Sequence, residues 1–235
     1  YGMRSYFEDC VAAFPELELF FVVGSTTSSG ISGPKEYQRT FGAFFAVYWM
    51  LRLDIDGRCG LSFGCDEDWR IRLHPEGGEA AKRQAFFDKM DWELLRALVE
   101  SSVGNSQERI EAMLCFTAFH DIMKVSGLSP VVAAEHAPYR GCCAGDTIHD
   151  HDLALAYVLE HYPALLPSFA ILPDSSKEAV LFTQARMTFN HGWFVQAEGP
   201  PGAMLSPLKQ ALGSAAAEDL AFYFLHWVTD LSGAE

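Results

Sequence analysis

The sequence predicts an all-α fold, and three observations carry that prediction. Apolar residues recur at spacings of three and four over most of the chain from about residue 79. The segment from 107 to 124 is apolar on nearly every side, as a central helix would be. Gly127, Pro130, Pro163 and Pro167 fall between such segments and not within them. At 235 residues the chain can bury a real core as one large domain or as a domain with an extension. We expect a helical domain over residues 76–235 and an N-terminal extension or cap over residues 1–75, with at most a small β element in the extension.

In the extension, Tyr6 to Val23 carries an aromatic pattern readable as helix or strand, a Gly/Ser/Thr loop spans 24–33, and an apolar helix runs from about Tyr37 to Arg52. Gly57, Gly60 and Gly64 mark a turn-rich stretch over 54–68, suited to a short hairpin or an irregular cap. From Glu79 to Val103, the residues Phe86, Phe87, Met90, Leu94, Leu95 and Leu98 form one buried stripe, which predicts a helix. Asn105 and Ser106 break that pattern and can cap the next segment. There Ile110, Met113, Leu114, Phe116, Thr117, Phe119, Met123 and Val125 leave almost no polar face. A loop rich in Pro, Gly and Cys follows to Asp146, and a third helix is expected from about His149 to Tyr162. A fourth spans 175–191 with Ser175 or Ser176 as its cap, and a fifth, strongly aromatic, spans 216–231.

Charge narrows the range of partners. The chain has 17 basic and 31 acidic residues, a net charge of −14, so nucleic acid or an anionic membrane would have to be attracted against the overall field. The longest apolar run, Phe41 to Leu51, is well short of the ~20 residues that span a bilayer. No nucleic-acid and no membrane partner is expected, and a soluble chain is, with the cytoplasm favoured. Beginning at Tyr1 with no basic n-region or small-residue cleavage site, the sequence reads as processed or as a piece of a longer chain. Its six cysteines, at 10, 59, 65, 115, 142 and 143, follow no zinc spacing, so reduced structural thiols are expected. The neighbouring Cys142 and Cys143 read as two small loop residues, with redox activity as the alternative.

A carboxylate inside an apolar helix is costly unless it is paired or holds a cation, so Asp121 needs a partner. His120 stands beside it, ~100° around the helix, and the two can reach one cation from either side. A hydrogen bond between them with no ion would serve as well. Elsewhere, His149-Asp150-His151-Asp152 opens the third helix, His191 closes the fourth, and Asp230 lies near the end of the fifth. Each has a plainer role available: N-caps and dipole compensation for the first group, a core histidine beside Trp193 for His191, a cap or a Lys partner for Asp230.

In this order the residues resemble the HD-domain superfamily of metal-dependent enzymes. Phe119-His120-Asp121-Ile122-Met123-Lys124 is similar to the family's hydrophobic-His-Asp-Ile-Gly-Lys helix, with Met in place of Gly. The segments 151–159, 187–194 and 227–231 resemble those that supply the later ligands, and the likeness covers roughly 79–232. It implies an HD-domain-like helical bundle with one or two divalent ions, Mn, Mg, Zn or Fe. Asp121 would bridge two ions, His120 and Asp230 binding one and His151 and His191 the other, with His149 the second candidate from the third helix. Lys124 would face an anionic group of a small substrate, and Asp121 and Lys124 are the expected catalytic residues. The family also draws a histidine from the helix before the His-Asp pair. Here 79–103 contains none, and His74, preceding Pro75, is a poor stand-in.

Most members of the family are phosphohydrolases that activate a water on the metal. That activity is the first expectation. A di-iron oxygenase of the inositol or phosphonate type is second, and a catalytically inactive interaction module third. The Gly-Tyr-Pro motif of the cyclic-dinucleotide hydrolases does not follow His191. Residues 1–75 could cap the active site, form a homodimer interface or complete the core, and core completion is preferred.

Overall fold

The computed structural model describes residues 2–22, 31–57, 88–187, 201–213 and 215–233. Those residues contain no strand; pairing outside the helices includes the isolated bridges Val131 to Thr147 and Tyr139 to Cys142. The all-α prediction holds. No described helix is long and apolar enough to cross a membrane.

The N-terminal residues form α1 (Met3–Ala13), a 3-10 helix (Pro15–Phe21) and the long α2 (Gly33–Met50). α3 (Trp92–Ser102) begins where the Asp91 carboxylate accepts from Leu94 N at 2.9 Å. Leu95 and Leu98 of the expected stripe pack inward, joined by Val99, but Leu94 is 66 % exposed. The part of the expected helix over 79–87 lies outside the described residues. Ser106 caps α4 (Gln107–Phe119), and Asp150 caps α5 (His151–His161) by accepting from Leu153 N at 2.8 Å. Pro167–Ala170 makes a single helical turn before α6 (Asp174–Leu181).

Pro173, not Ser175 or Ser176, stands at the N-cap of α6, because the Ser176 hydroxyl is turned to Glu108 O, 3.2 Å away. α6 widens into a π-turn over Phe182–Arg186 and its helical backbone stops at Met187, short of the expected 191. α7 (Pro201–Leu212) was not expected, although a proline at a first helical position is a start signal. α8 (Ala217–Gly233) closes the described chain.

The main correction concerns α4. The apolar run predicted one helix to residue 124, but the i−4 ladder ends with His120 N bonded to Phe116 O, and the next turn tightens to 3-10 over Ile122–Lys124. The reason lies in the side chains: the tighter turn brings the Lys124 ammonium onto Asp121 Oδ2, at 2.6 Å. His120 and Asp121 therefore sit at a helix end, where their side chains leave the apolar cylinder.

A large apolar core runs through most of the described chain, with a second, smaller cluster of Phe182, Met187 and Tyr223 beside it. Tyr6, Leu17, Phe20, Phe44 and Val47 of the N-terminal elements belong to the same cluster as Met113, Phe116, Phe119, Leu155, Tyr157, Phe169 and Phe222. Phe20, Phe44, Phe119 and Phe222 are wholly buried, and burial of each contributes about 2–3 kcal/mol before entropic costs. Buried Glu16 joins the N-terminal segment to the helical turn by accepting from Ser168 N (2.8 Å) and Ser168 Oγ (2.6 Å). The domain boundary expected at 75/76 lies outside the described residues.

α8 packs mainly on α2 and α3. At the α2–α8 crossing the backbones touch: a Cβ on Gly42 would lie 2.5 Å from Gly233 O, and one on Gly233 would lie 2.1 Å from Ala43 N. Only glycine permits that approach. It brings the last turns of α8, with Asp230, alongside the first half of α2.

Candidate metal centre

His120 ends α4, Asp121 follows it, and Asp230 arrives from α8, 110 residues later in the chain. His120 Nδ1 lies 2.8 Å from Thr117 O. A carbonyl oxygen only accepts, so Nδ1 carries a hydrogen and Nε2 is the atom turned to the carboxylates. Nε2 lies 2.9 Å from Asp230 Oδ1 and 3.4 Å from Asp121 Oδ2. One ligand atom from each of the three residues falls within 4.8 Å of the others. Among the described residues this is the one group of three or more His, Cys, Asp and Glu so arranged.

Electrostatics follow the geometry. Burial alone would pull the His120 pKa down, but the Asp121 and Asp230 charges outweigh it and push the pKa up to about 9. Burial would raise the two carboxylates, yet His120 and Lys124 hold Asp121 below the usual carboxylate range, and His120, with His226 and Lys124, does the same for Asp230. A proton on Nε2 thus occupies the place where the three donors converge. A divalent cation would meet the same two oxygens and one nitrogen, with the imidazole already oriented by the backbone bond on its other nitrogen. The donor set fits a metal ion.

The centre lies on a cavity of ≈ 660 Å³. His120 and Asp121 are buried, and Asp230 is a third exposed, so the group opens through its α8 member. Lys124 also lines this cavity and pairs with Asp121. His151, at the first position of α5, lines it too; its Nε2 lies 3.7 Å from Asp152 Oδ1, and it is not one of the three converging residues. His149 is exposed and is not part of the cavity wall. His191 and His74 lie outside the described residues. Of the expected ligands, the fold therefore brings His120, Asp121 and Asp230 together and sets His151 on the same wall.

Four further residues reach this region. His226 lies one turn before Asp230, with its ring 5.0 Å from that of His120, and the i, i+4 spacing to Asp230 on α8 was the available signal. Glu36 is wholly buried in the first turn of α2, 3.8 Å from Lys124 Nζ, and Arg39 pairs with it. In the sequence Glu36 stands beside Lys35, Gln38 and Arg39, so no apolar run marked it as Asp121 was marked. Arg140, at φ 44°, lies over the Tyr139 ring and bonds Glu160 at 3.0 Å.

Neither a protein-family model nor any curated protein or solved structure matches the chain.

Proposed function

We propose that this protein is a metal-dependent hydrolase of a phosphorylated small molecule, working through a site of the HD-domain type. The supporting observation is the convergence of His120 Nε2, Asp121 and Asp230 beside Lys124, from two helices 110 residues apart, at the wall of a cavity large enough for a small molecule. A ligand set of one imidazole and two carboxylates suits Mn, Mg, Zn or Fe better than a soft ion. A bound divalent ion would supply a water of lowered pKa and neutralise charge on phosphoryl oxygens.

The chain's own residues do the rest. His120 holds its Nε2 toward the carboxylates through the Thr117 bond, and would hold a divalent ion there only with that nitrogen deprotonated. Lys124 keeps Asp121 ionised and presents a point charge to the substrate's anionic group. One ion is accounted for by these three donors; a second would draw on His151 together with His191. The same reading takes the protein as soluble and cytoplasmic, acting on a small anionic substrate and not on nucleic acid.

The test is metal analysis of the purified protein together with phosphate release from small phosphate esters. Bound Mn, Mg or Zn and metal-dependent release are expected, and both should disappear in Asp121→Ala. Iron with oxygen consumption and no phosphate release would replace this reading by the di-iron oxygenase. No bound metal in the native protein would leave an interaction module.

A further inference from the structure

α2 brings two side chains to the cavity region that the metal ligands do not use. Glu36 is wholly buried, and its Oε2 lies 3.3 Å from Arg39 Nη1 and 3.8 Å from Lys124 Nζ. One carboxylate oxygen therefore serves two cations. Both cations line the cavity while Glu36 does not, so the carboxylate stands behind them. Lys124 is held firmly by Asp121 at 2.6 Å. Arg39 is held more loosely, by contacts of 3.3 and 3.5 Å from one nitrogen, Nη1; its Nε has no partner and its side chain is a third exposed. A guanidinium carries five N–H donors in a planar fork, and Glu36 engages only a part of this one. Arg140, the other arginine on the cavity wall, is already taken by Glu160 and the Tyr139 ring. In a chain of net charge −14, two cations that share one oxygen of a buried carboxylate and line the same cavity, one of them with its guanidinium only partly engaged, mark a place for an anion.

We propose that Arg39 is the specificity-determining residue of this cavity, clamping the substrate's phosphate together with Lys124, with Glu36 as the positioning residue that holds both cations. This rests on the hydrolase reading and narrows its substrate. The arginine fork takes two oxygens and the lysine a third. Three free oxygens belong to a phosphate monoester; a diester has two. The substrate class is therefore a small phosphate monoester.

The experiment titrates inorganic phosphate calorimetrically into the Mn²⁺-loaded native protein and into R39A, R39K and E36Q, with bound metal and melting temperature measured on the same samples. Bound metal should be alike in all four. Phosphate should bind about tenfold more weakly in R39A, the loss expected for a charge-assisted hydrogen bond. R39K, which keeps the charge but not the fork, should recover part of the affinity, and E36Q should weaken it with no change in metal content. Turnover of p-nitrophenyl phosphate should fall in R39A and, in the native protein, should exceed that of bis(p-nitrophenyl) phosphate; a native protein that prefers the diester would overturn the monoester assignment. Native phosphate affinity in R39A at equal metal content would overturn the clamp, as would a native protein that binds no phosphate. If R39A melts below the assay temperature, R39K carries the test, and native affinity in R39K overturns the fork. Absence of metal from the native protein overturns the hydrolase reading instead. The same phosphate comparison on the metal-free chain then still supports the clamp if the tenfold loss appears, and overturns it if it does not.

Discussion

Two histidine sites in this protein invite comparison. At the α4 end, His120 meets two carboxylates, and its pKa rises to about 9. At the α5 end, His161 stacks on His136 with ring centroids 3.8 Å apart and planes 15° from parallel. Its pKa is pulled down by burial and by the neighbouring imidazole. His136 Nδ1 lies 2.9 Å from the Tyr157 hydroxyl, and that hydroxyl accepts from Ala133 N at 2.8 Å. The first site gathers positive charge; the second resists it. Residue type does not decide which histidine can share a cation with its neighbours. The partners do, and here they arrive from distant helices.

The largest effect expected is on bound metal. Asp121→Ala should take it from about one ion per chain to none, while His161→Ala leaves it unchanged, both read by elemental analysis. Equal metal content in the two variants would erase the distinction between the sites. Next comes the glycine crossing. Gly42→Ala forces a Cβ into the Gly233 backbone and should cost about 2 kcal/mol or more, read as a melting temperature lower by about 5 °C. It should also weaken metal binding by displacing Asp230, while the NMR signals of His136 and His161 stay where they are. A variant that melts like the native protein would show that the α2–α8 approach is not tight. Smaller is Tyr157→Phe, which strips a partner from both Ala133 N and His136; about 1–2 kcal/mol is expected from urea unfolding, with native metal content.

The subtlest difference is in pH. In chelated protein, His120 is more basic folded than its ordinary 6.5, so its contribution to stability is complete below pH 6.5 and lost as pH rises through about 9. His161 is less basic folded than unfolded, so its contribution is present above that ordinary value and lost as pH falls below it. Urea unfolding from pH 5 to 8.5, below the range in which the buried Cys10 and Cys115 thiols contribute, should show decline on both sides, and His120→Gln should remove only the alkaline one. An alkaline decline that survives His120→Gln would mean that the carboxylates do not hold this proton.

Much of the helical layout was legible from local pattern, because the apolar periodicities of α2, α4, α5 and α8 are strong and Asp150 and Ser106 are ordinary caps. The end of α4 was not. Met123 and Val125 continue the apolar pattern whether the turn is α or 3-10, and the choice is made by Lys124 reaching Asp121. Leu94 was misplaced because a stripe of threes and fours has two possible centres, and the contacts that choose between them come from other helices. Asp121 stood out because it interrupts an apolar run. Glu36 and Arg39 escaped because charge in the first two turns of a helix is commonplace, and nothing local says that these turns face Lys124.

The α2–α8 crossing also sets an order of events during synthesis. α2 emerges early, yet the helix that covers it is the last one described, and Glu16 waits for Ser168, 152 residues away. Contacts so distant in sequence are slow to close. Until α8 leaves the ribosome, α2 has only α1, the 3-10 helix after it, α3 and α4 to pack on, and the face that α8 covers stays open. The nascent chain should therefore engage chaperones that recognise apolar helices, and release from them should coincide with the emergence of α8.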